Sequence, residues 1–491
     1  MRNFVPGLCL GLCLLLLLAP GAASTQERPA AAPAQGRPAL SQETREFVAV
    51  DAPAVALTHV RVIDGTGGPA LADQTVVIAD GRIRSVGPAA AAKIPEGARV
   101  LDMAGRSVIP GLVLMHEHLF YPTGRLALFN EMGWSFPRLY LGCGVTTMRT
   151  AGSVEPYTDL NIKRLIDTGR IPGPKVRVTG PYLDGRGAFA TQFRVLDGPD
   201  SARRMVNQWA DEGVTSFKAY MYISRAELGA AIEEAHKRGI KVTGHLCSIG
   251  FREAAALGID NLEHGMIVDT EFVPGKRPDV CPPQNETVSH FARLDLNSEP
   301  VREMIRDLVA RRVAVTSTLA VFEAFLPDRP PLQQRVLEAM TSDARTQYLT
   351  SRARSAERKD SPWAAALKKE MQFELAFVRA GGRLMAGTDP TGNGGALAGF
   401  GSQREVILLV EAGFTPTEAI RIATLNAAEY LGEADTVGSV APGKTADLVV
   451  LRGDPSANIS DIEKVELVFK DGLGYDPAKL IDSVRGSVGW R

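Results

Sequence analysis

Apolar and polar positions change their rhythm along the chain. Residues 4–19 are almost wholly apolar, behind Arg2 and ahead of the small-residue stretch Gly21-Ala-Ala-Ser24. That layout predicts a signal peptide over residues 1–23, and the run is short for a membrane span. Residues 24–45, rich in Ala, Pro, Gln and Gly, predict a flexible linker. From 55 to 108 the pattern becomes short, β-branched and alternating, as in His59-Val-Arg-Val-Ile-Asp64 and Gln74-Thr-Val-Val-Ile-Ala-Asp-Gly81. A similar rhythm returns in Gly438-Ser-Val-Ala-Pro-Gly-Lys-Thr-Ala-Asp-Leu-Val-Val-Leu451 and Val465-Glu-Leu-Val-Phe-Lys-Asp-Gly472. Each piece is too small for a core of its own. Their pairing into one small β-sandwich, from 46–106 and 432–475, is expected, with 476–491 left as a tail.

Between these pieces strand and helix patterns alternate. Candidate strands are 107–115, 144–150, 175–180, 213–220, 240–246, 259–264, 312–319 and 382–388. Helical periods fall between them, among others at 225–238, 251–257 and 301–311. Eight strands alternating with helices imply an α/β fold with a parallel sheet, and the count and length favour a closed (β/α)8 TIM barrel over 107–431. A charged, helix-prone insertion at about 321–360 is expected to cover one end.

Composition narrows the partners. The chain has 491 residues, 45% hydrophobic and 23% charged, with a formal net charge of -1. Near-neutrality, and no basic run with interleaved aromatics, argue against nucleic acid or an anionic membrane surface as the main partner. No later segment is long enough to be membrane-embedded. Cys9 and Cys13 leave with the signal, so Cys143, Cys247 and Cys281 remain and allow at most one disulfide.

The chemistry starts in Ser107-Val-Ile-Pro-Gly-Leu-Val-Leu-Met-His-Glu-His-Leu119. On a strand, alternate side chains share a face, so His116 and His118 point together and Glu117 points away. Two imidazoles at a strand end are half a metal site. In a barrel the remaining ligands belong at the C-terminal rim. Lys218, His245, His264 and Asp389 each end a candidate strand at that rim.

The chain resembles the amidohydrolase superfamily. Gly144-Val-Thr-Thr-Met-Arg-Thr-Ala-Gly152, Ala235-His-Lys-Arg-Gly-Ile-Lys-Val-Thr-Gly-His245, Leu262-Glu-His-Gly265 and Gly387-Thr-Asp-Pro390 are similar to its imidazolonepropionase/Xaa-Pro dipeptidase branch. The resemblance implies two divalent metal ions, taken as Zn²⁺. His116, His118 and Asp389 would hold one, His245 and His264 the other, with carbamylated Lys218 between them. A bare lysine is a poor ligand because its ammonium has no lone pair, whereas a carbamate offers two oxygens. Paired metals about 3.5–4 Å apart activate a bridging hydroxide, with Asp389 as the general base. An unmodified Lys218 beside a single metal is the alternative.

Other residues are candidates of a second rank. Tyr220 and Tyr222 follow the fourth candidate strand and are placed to stabilise a tetrahedral intermediate. Arg149, Arg186 and Arg194 are candidate clamps for a substrate carboxylate, and His290 a candidate loop contact. His59 and His236 read as structural, and Cys247 as packing. Gly392-Asn-Gly-Gly-Ala-Leu-Ala-Gly399 lacks the Gly-Lys-Ser/Thr ending of a phosphate loop, and His116-Glu-His118 lacks zincin spacing.

The expectation is an exported, periplasmic or extracellular, metal-dependent hydrolase of C–N bonds, with the small-molecule amide or peptide substrate that the site residues imply. A dipeptidase or N-acyl-amino-acid hydrolase fits best, and a homo-oligomer is expected. A lactonase or esterase using the same metals is the enzymatic alternative. A catalytically inactive binding protein is the alternative from another class, disfavoured because all six candidate ligands are present.

Overall fold

A computed structural model describes residues 38–123, 128–188, 190–358, 360–391 and 394–489. The expected signal peptide and most of the expected linker lie outside the described residues.

The apolar run Leu112-Val-Leu-Met-His-Glu117 is buried at every position, which is the signature of a parallel strand covered on both faces. It pairs in parallel with Val145–Thr150, which pairs in parallel with Lys175–Arg177. A six-stranded parallel sheet follows, in the order Thr179–Leu183, Ser216–Ala219, Lys241–Gly244, Asn261–Glu263, Ala314–Ser317 and Leu384–Ala386. Only Val178 separates Lys175–Arg177 from Thr179–Leu183. At the other end, Thr388 N and Asp389 N donate to His116 O at 3.0 and 2.9 Å.

Helices between the strands obey local capping rules. Ser224 and Glu227 form a capping box on Arg225–Lys237, and left-handed Gly258 ends Phe251–Leu257. Leu114, Phe217, Leu262 and Phe377 belong to one large core, and burying each such side chain contributes roughly 1.5–3 kcal/mol.

The expected first strand, 107–115, is two strands. Arg106–Pro110 joins a sheet made by both chain ends, and Leu112–Glu117 begins the parallel system. Gly111 makes the break possible, because a Cβ there would overlap Thr146 Oγ1. The two chain ends share a single nine-stranded sheet. Arg106–Pro110 pairs antiparallel with Leu448–Arg452 and parallel with Ala54–Val62.

Two segments expected to be loose are docked. Residues of the predicted linker form the helix Gln42–Arg45, with Ser41 N donating to Gly169 O at 3.0 Å and Ser41 Oγ to Arg170 O at 2.9 Å. The predicted tail contains the helix Pro477–Asp482. Past it, Ser487 N donates to Ala339 O and Thr341 N to Val488 O, both at 2.9 Å, tying the C-terminus to the insertion. That insertion carries the helices Leu319–Glu323, Gln334–Ala339 and Ser342–Glu357. Among the described residues no helix is long and apolar enough to cross a membrane.

Candidate metal centre

The C-terminal ends of the parallel strands bring four imidazoles and one carboxylate together. His116 and His118 leave the first strand on one face, their ring centroids 5.4 Å apart. His264 stands 4.4 Å from His116 and 4.4 Å from His245, centroid to centroid. Asp389 Oδ1 lies 3.2 Å from His118 Nε2 and 3.8 Å from His116 Nε2, and its Oδ2 lies 3.9 Å from His264 Nδ1. The ligand atoms of His116, His118 and Asp389 all fall within 4.8 Å of one another. Lys218, 1% exposed, is the penultimate residue of the strand Ser216–Ala219 and acts electrostatically on His116 and His245.

The electrostatics fit a cation. Burial, reinforced by the Lys218 charge, lowers His116 to about 4 and His245 to about 3, and burial also holds His264 well below its ordinary value. All three imidazoles are therefore neutral at pH 7, with lone pairs free for a metal. Burial alone would raise Asp389, but His116 and His118 offset it and hold the carboxyl below its usual range. His118 Nδ1 is buried with no hydrogen-bond partner among the described residues. A neutral nitrogen-and-carboxylate donor set of this kind suits Zn²⁺. Burial lowers Lys218 to about 8, below its ordinary value.

Carboxylates that the sequence reading did not select hold these ligands. Glu263 Oε2 accepts from His116 Nδ1 at 2.8 Å, which fixes the tautomer and leaves Nε2 as the free lone pair. Burial alone would raise Glu263; Arg149, Lys218 and His116 hold it well below the carboxylate range. Glu117, on the opposite face of the first strand, accepts from Thr388 N at 2.9 Å and so fixes the residue before Asp389. Burial pushes Glu117 up to about 8. Glu370 accepts from Ile267 N at 2.7 Å, just past His264. It presses on Gly265 so closely that a Cβ there would overlap its Oε1. His264 and Asp389 both adopt left-handed backbone, φ 71° and 49°, a conformation that surrounding structure must hold in place.

The second-rank candidates separate. Arg149 is a correction: it is 1% exposed and its guanidinium donates to Met115 O and to Glu263 in the interior. Its position inside a fully buried strand commits the guanidinium to interior acceptors. Arg186 is 89% exposed and faces Asp197, and Arg194 is exposed, so neither is brought to the cluster. His290 sits half-buried on the helix Gln284–Phe291, with no hydrogen bond to the cluster among the described residues. Tyr220 adjoins the centre, its ring 4.9 Å from that of His245. Tyr222 instead packs over Gly187, its backbone N donating to Asp184 at 2.7 Å. His59 pairs with Asp73 at 2.8 Å and His236 with Asp260 at 2.9 Å, both away from the centre. Cys247 is a second correction: it forms a disulfide with Cys281, because the loops after two neighbouring strands bring their Cα atoms to 4.8 Å. Residues 392–393 of the glycine-rich loop lie outside the described residues.

Comparison with known proteins gives a consistent picture. A family model described as the Amidohydrolase family matches residues 107–473. Among curated proteins, an adenine deaminase 2 of Jannaschia sp. is 38% identical over 82 residues, 16% of this chain and 13% of that protein. An imidazolonepropionase of Micrococcus luteus is 37% identical over 101 residues, 20% of this chain and 25% of that protein. The chain thus spans a quarter or less of the length of these relatives. Among solved structures, a putative prolidase from Bifidobacterium longum is similar with a TM-score of 0.64 at 26% identity, covering 88% of this chain and 98% of that one. A Xaa-Pro dipeptidase with bound methionine has a TM-score of 0.65 at 20% identity, covering 86% and 100%, a likeness of fold alone.

Proposed function

The chain belongs to the amidohydrolase family, and from that premise we propose an exported, binuclear-metal hydrolase of C–N bonds, acting as a dipeptidase or N-acyl-amino-acid hydrolase. In this reading the two parallel sheets are parts of one (β/α)8 barrel and the paired chain ends form its β-sandwich companion. The observation that carries the reading is the convergence of His116, His118 and Asp389 ligand atoms within 4.8 Å, with the His245 and His264 rings alongside.

His116, His118 and Asp389 would hold one divalent cation, and His245 and His264 the second. Bound there, the cations would supply Lewis-acid activation of water and of the scissile carbonyl. Lys218, whose ammonium burial disfavours, would add as its free amine through Nζ to CO2 with loss of one proton, and the resulting carbamate would offer oxygen ligands to the cations. Asp389, anionic at neutral pH, takes the proton of the attacking water and delivers it to the leaving nitrogen. Tyr220 keeps its proton because burial raises its hydroxyl, so it donates to the carbonyl oxygen as negative charge develops there. Glu263 and Glu117 keep His116 and the Asp389 turn in place while charge moves.

The test is metal analysis of purified protein together with turnover of dipeptides, N-acyl-amino acids and lactones. The expected result is two metal equivalents per chain, amide hydrolysis that chelation abolishes, and its return with Zn²⁺. One equivalent, with Lys218→Ala fully active, overturns the two-metal arrangement; metal-independent or absent turnover of the whole set overturns the hydrolase reading. N-terminal sequencing of the secreted chain, expected to begin near residue 24, tests export.

A further inference from the structure

Both ligand pairs lean on one continuous wall of aromatic rings. Phe120 stacks on His118, centroids 4.3 Å apart at 24°, and meets Phe129 at 4.9 Å. On the other side, Tyr220 meets His245 at 4.9 Å and Tyr182 at 4.9 Å, and Phe193 stacks on Tyr182 at 4.4 Å. These five rings pack with Val154 into a single cluster. Phe120 and Tyr182 are 2% and 5% exposed, whereas Phe129, Phe193 and Tyr220 are half-buried and form its outer edge. The rings come from the hairpin after the first parallel strand, from the strand Thr179–Leu183 with its following loop, and from the end of Ser216–Ala219.

We infer that the centre selects amides bearing an aromatic side chain next to the scissile bond. The inference rests on the hydrolase reading and extends it to a substrate class. A carbonyl held between His118 and His245 has the wall beside it, because the wall touches both rings. A phenyl group laid there exchanges water for ring faces and edges, at distances where aromatic pairs attract beyond simple burial. A carboxylate side chain there loses hydration with no cation among the wall residues to replace it. One apolar methylene in such a pocket changes kcat/KM by roughly tenfold or more, and a phenyl ring is larger.

The holoenzyme is assayed on N-acetyl-amino acids that differ only in side chain: Phe, Leu, Ala and Glu. The expected kcat/KM for Phe exceeds that for Ala by about tenfold or more, and Glu falls below Ala. Phe193→Ala is expected to bring the Phe/Ala ratio of kcat/KM towards one, chiefly by raising KM for the Phe substrate. Calorimetric binding of phenylacetate and of acetate gives a second readout, with phenylacetate expected to bind more tightly and to lose that advantage in Phe193→Ala. Hydrolysis without side-chain preference, or favouring Glu, overturns the proposal and leaves the hydrolase reading standing. No hydrolysis of the series with phenylacetate binding intact overturns the N-acyl-amino-acid reading and supports the wall as a recognition surface. Equal binding of the two acids overturns the wall as a recognition surface.

Discussion

Glu263 holds His116 from the side turned away from Asp389, its Oε2 2.8 Å from His116 Nδ1 while His116 Nε2 faces Asp389. The same carboxylate neutralises Arg149, so one buried anion serves a ligand and a cation together.

Removing Glu263 therefore does two things at once. Glu263→Ala leaves the Arg149 charge buried and uncompensated, a loss of about 3–5 kcal/mol in stability. Glu263→Gln keeps the shape but not the charge, and metal affinity is expected to fall about 10–100-fold. Chelator competition measures the second effect and denaturant unfolding the first. Unchanged metal affinity in Glu263→Gln would show that the contact does not orient His116.

Gly265 is the position where the His264 turn leaves no room. Its φ of 70° costs an L-residue about 1–2 kcal/mol. A Cβ also collides with Glu370, which is fully buried and bound to Ile267 N. Gly265→Ala is expected to lower the unfolding midpoint and to weaken metal retention, since His264 must move with the turn. Glu370→Gln, which still accepts from Ile267 N, is expected to keep most of the metal. Equal metal loss in both variants would mean that charge, not space, fixes the turn.

The disulfide Cys247–Cys281 spans a sequence separation of 34, so closing that loop contributes about 3–4 kcal/mol in the chain-entropy account. Cys281→Ser is expected to lose that amount in urea unfolding. Thiol titration of the denatured mature chain should find one free group, Cys143, before reduction and three after it. Three free thiols before reduction would refute the bridge, and with it a sign of an oxidising compartment.

The alternation of side chains on a strand made His116 and His118 legible, and strand ends made Lys218, His245, His264 and Asp389 legible, because both signals are local. Glu263 was visible as the neighbour of His264, yet its partner His116 lies 147 positions away and is set by the register of separate strands. Glu370 reaches the His264 turn from a helix 103 positions from Ile267, so nothing near the turn announces it. Glu117 stood between two histidines, and an acid in an otherwise apolar, buried run was the available hint. Arg149 read as a candidate clamp for a substrate carboxylate because it lies near a strand end; only the packed interior shows its guanidinium bound to Met115 O and Glu263. Both docked ends, at Ser41 and Val488, depend on backbone hydrogen bonds to distant segments, which composition does not record.

A pH effect on stability follows from Glu370, Glu374 and Glu405, all fully buried. Burial raises Glu405 to about 7 and Glu370 to about 8, and Glu374 well above its ordinary value. Glu405 takes hydrogen bonds from Ser317 Oγ at 2.6 Å and Ala320 N at 2.8 Å, which only partly offset the burial. The folded state thus prefers these groups protonated. Their contribution is fully present below the ordinary carboxyl value of 4.5 and is lost as pH rises through about 7 and about 8. For Glu405 alone the loss across that interval is about 3 kcal/mol, at about 1.4 kcal/mol per pH unit. Urea midpoints of the wild type are expected to fall from pH 5 to pH 8.5, and Glu405→Gln, neutral at every pH, is expected to fall less. Parallel curves for wild type and variant would show that Glu405 carries its charge in the folded protein.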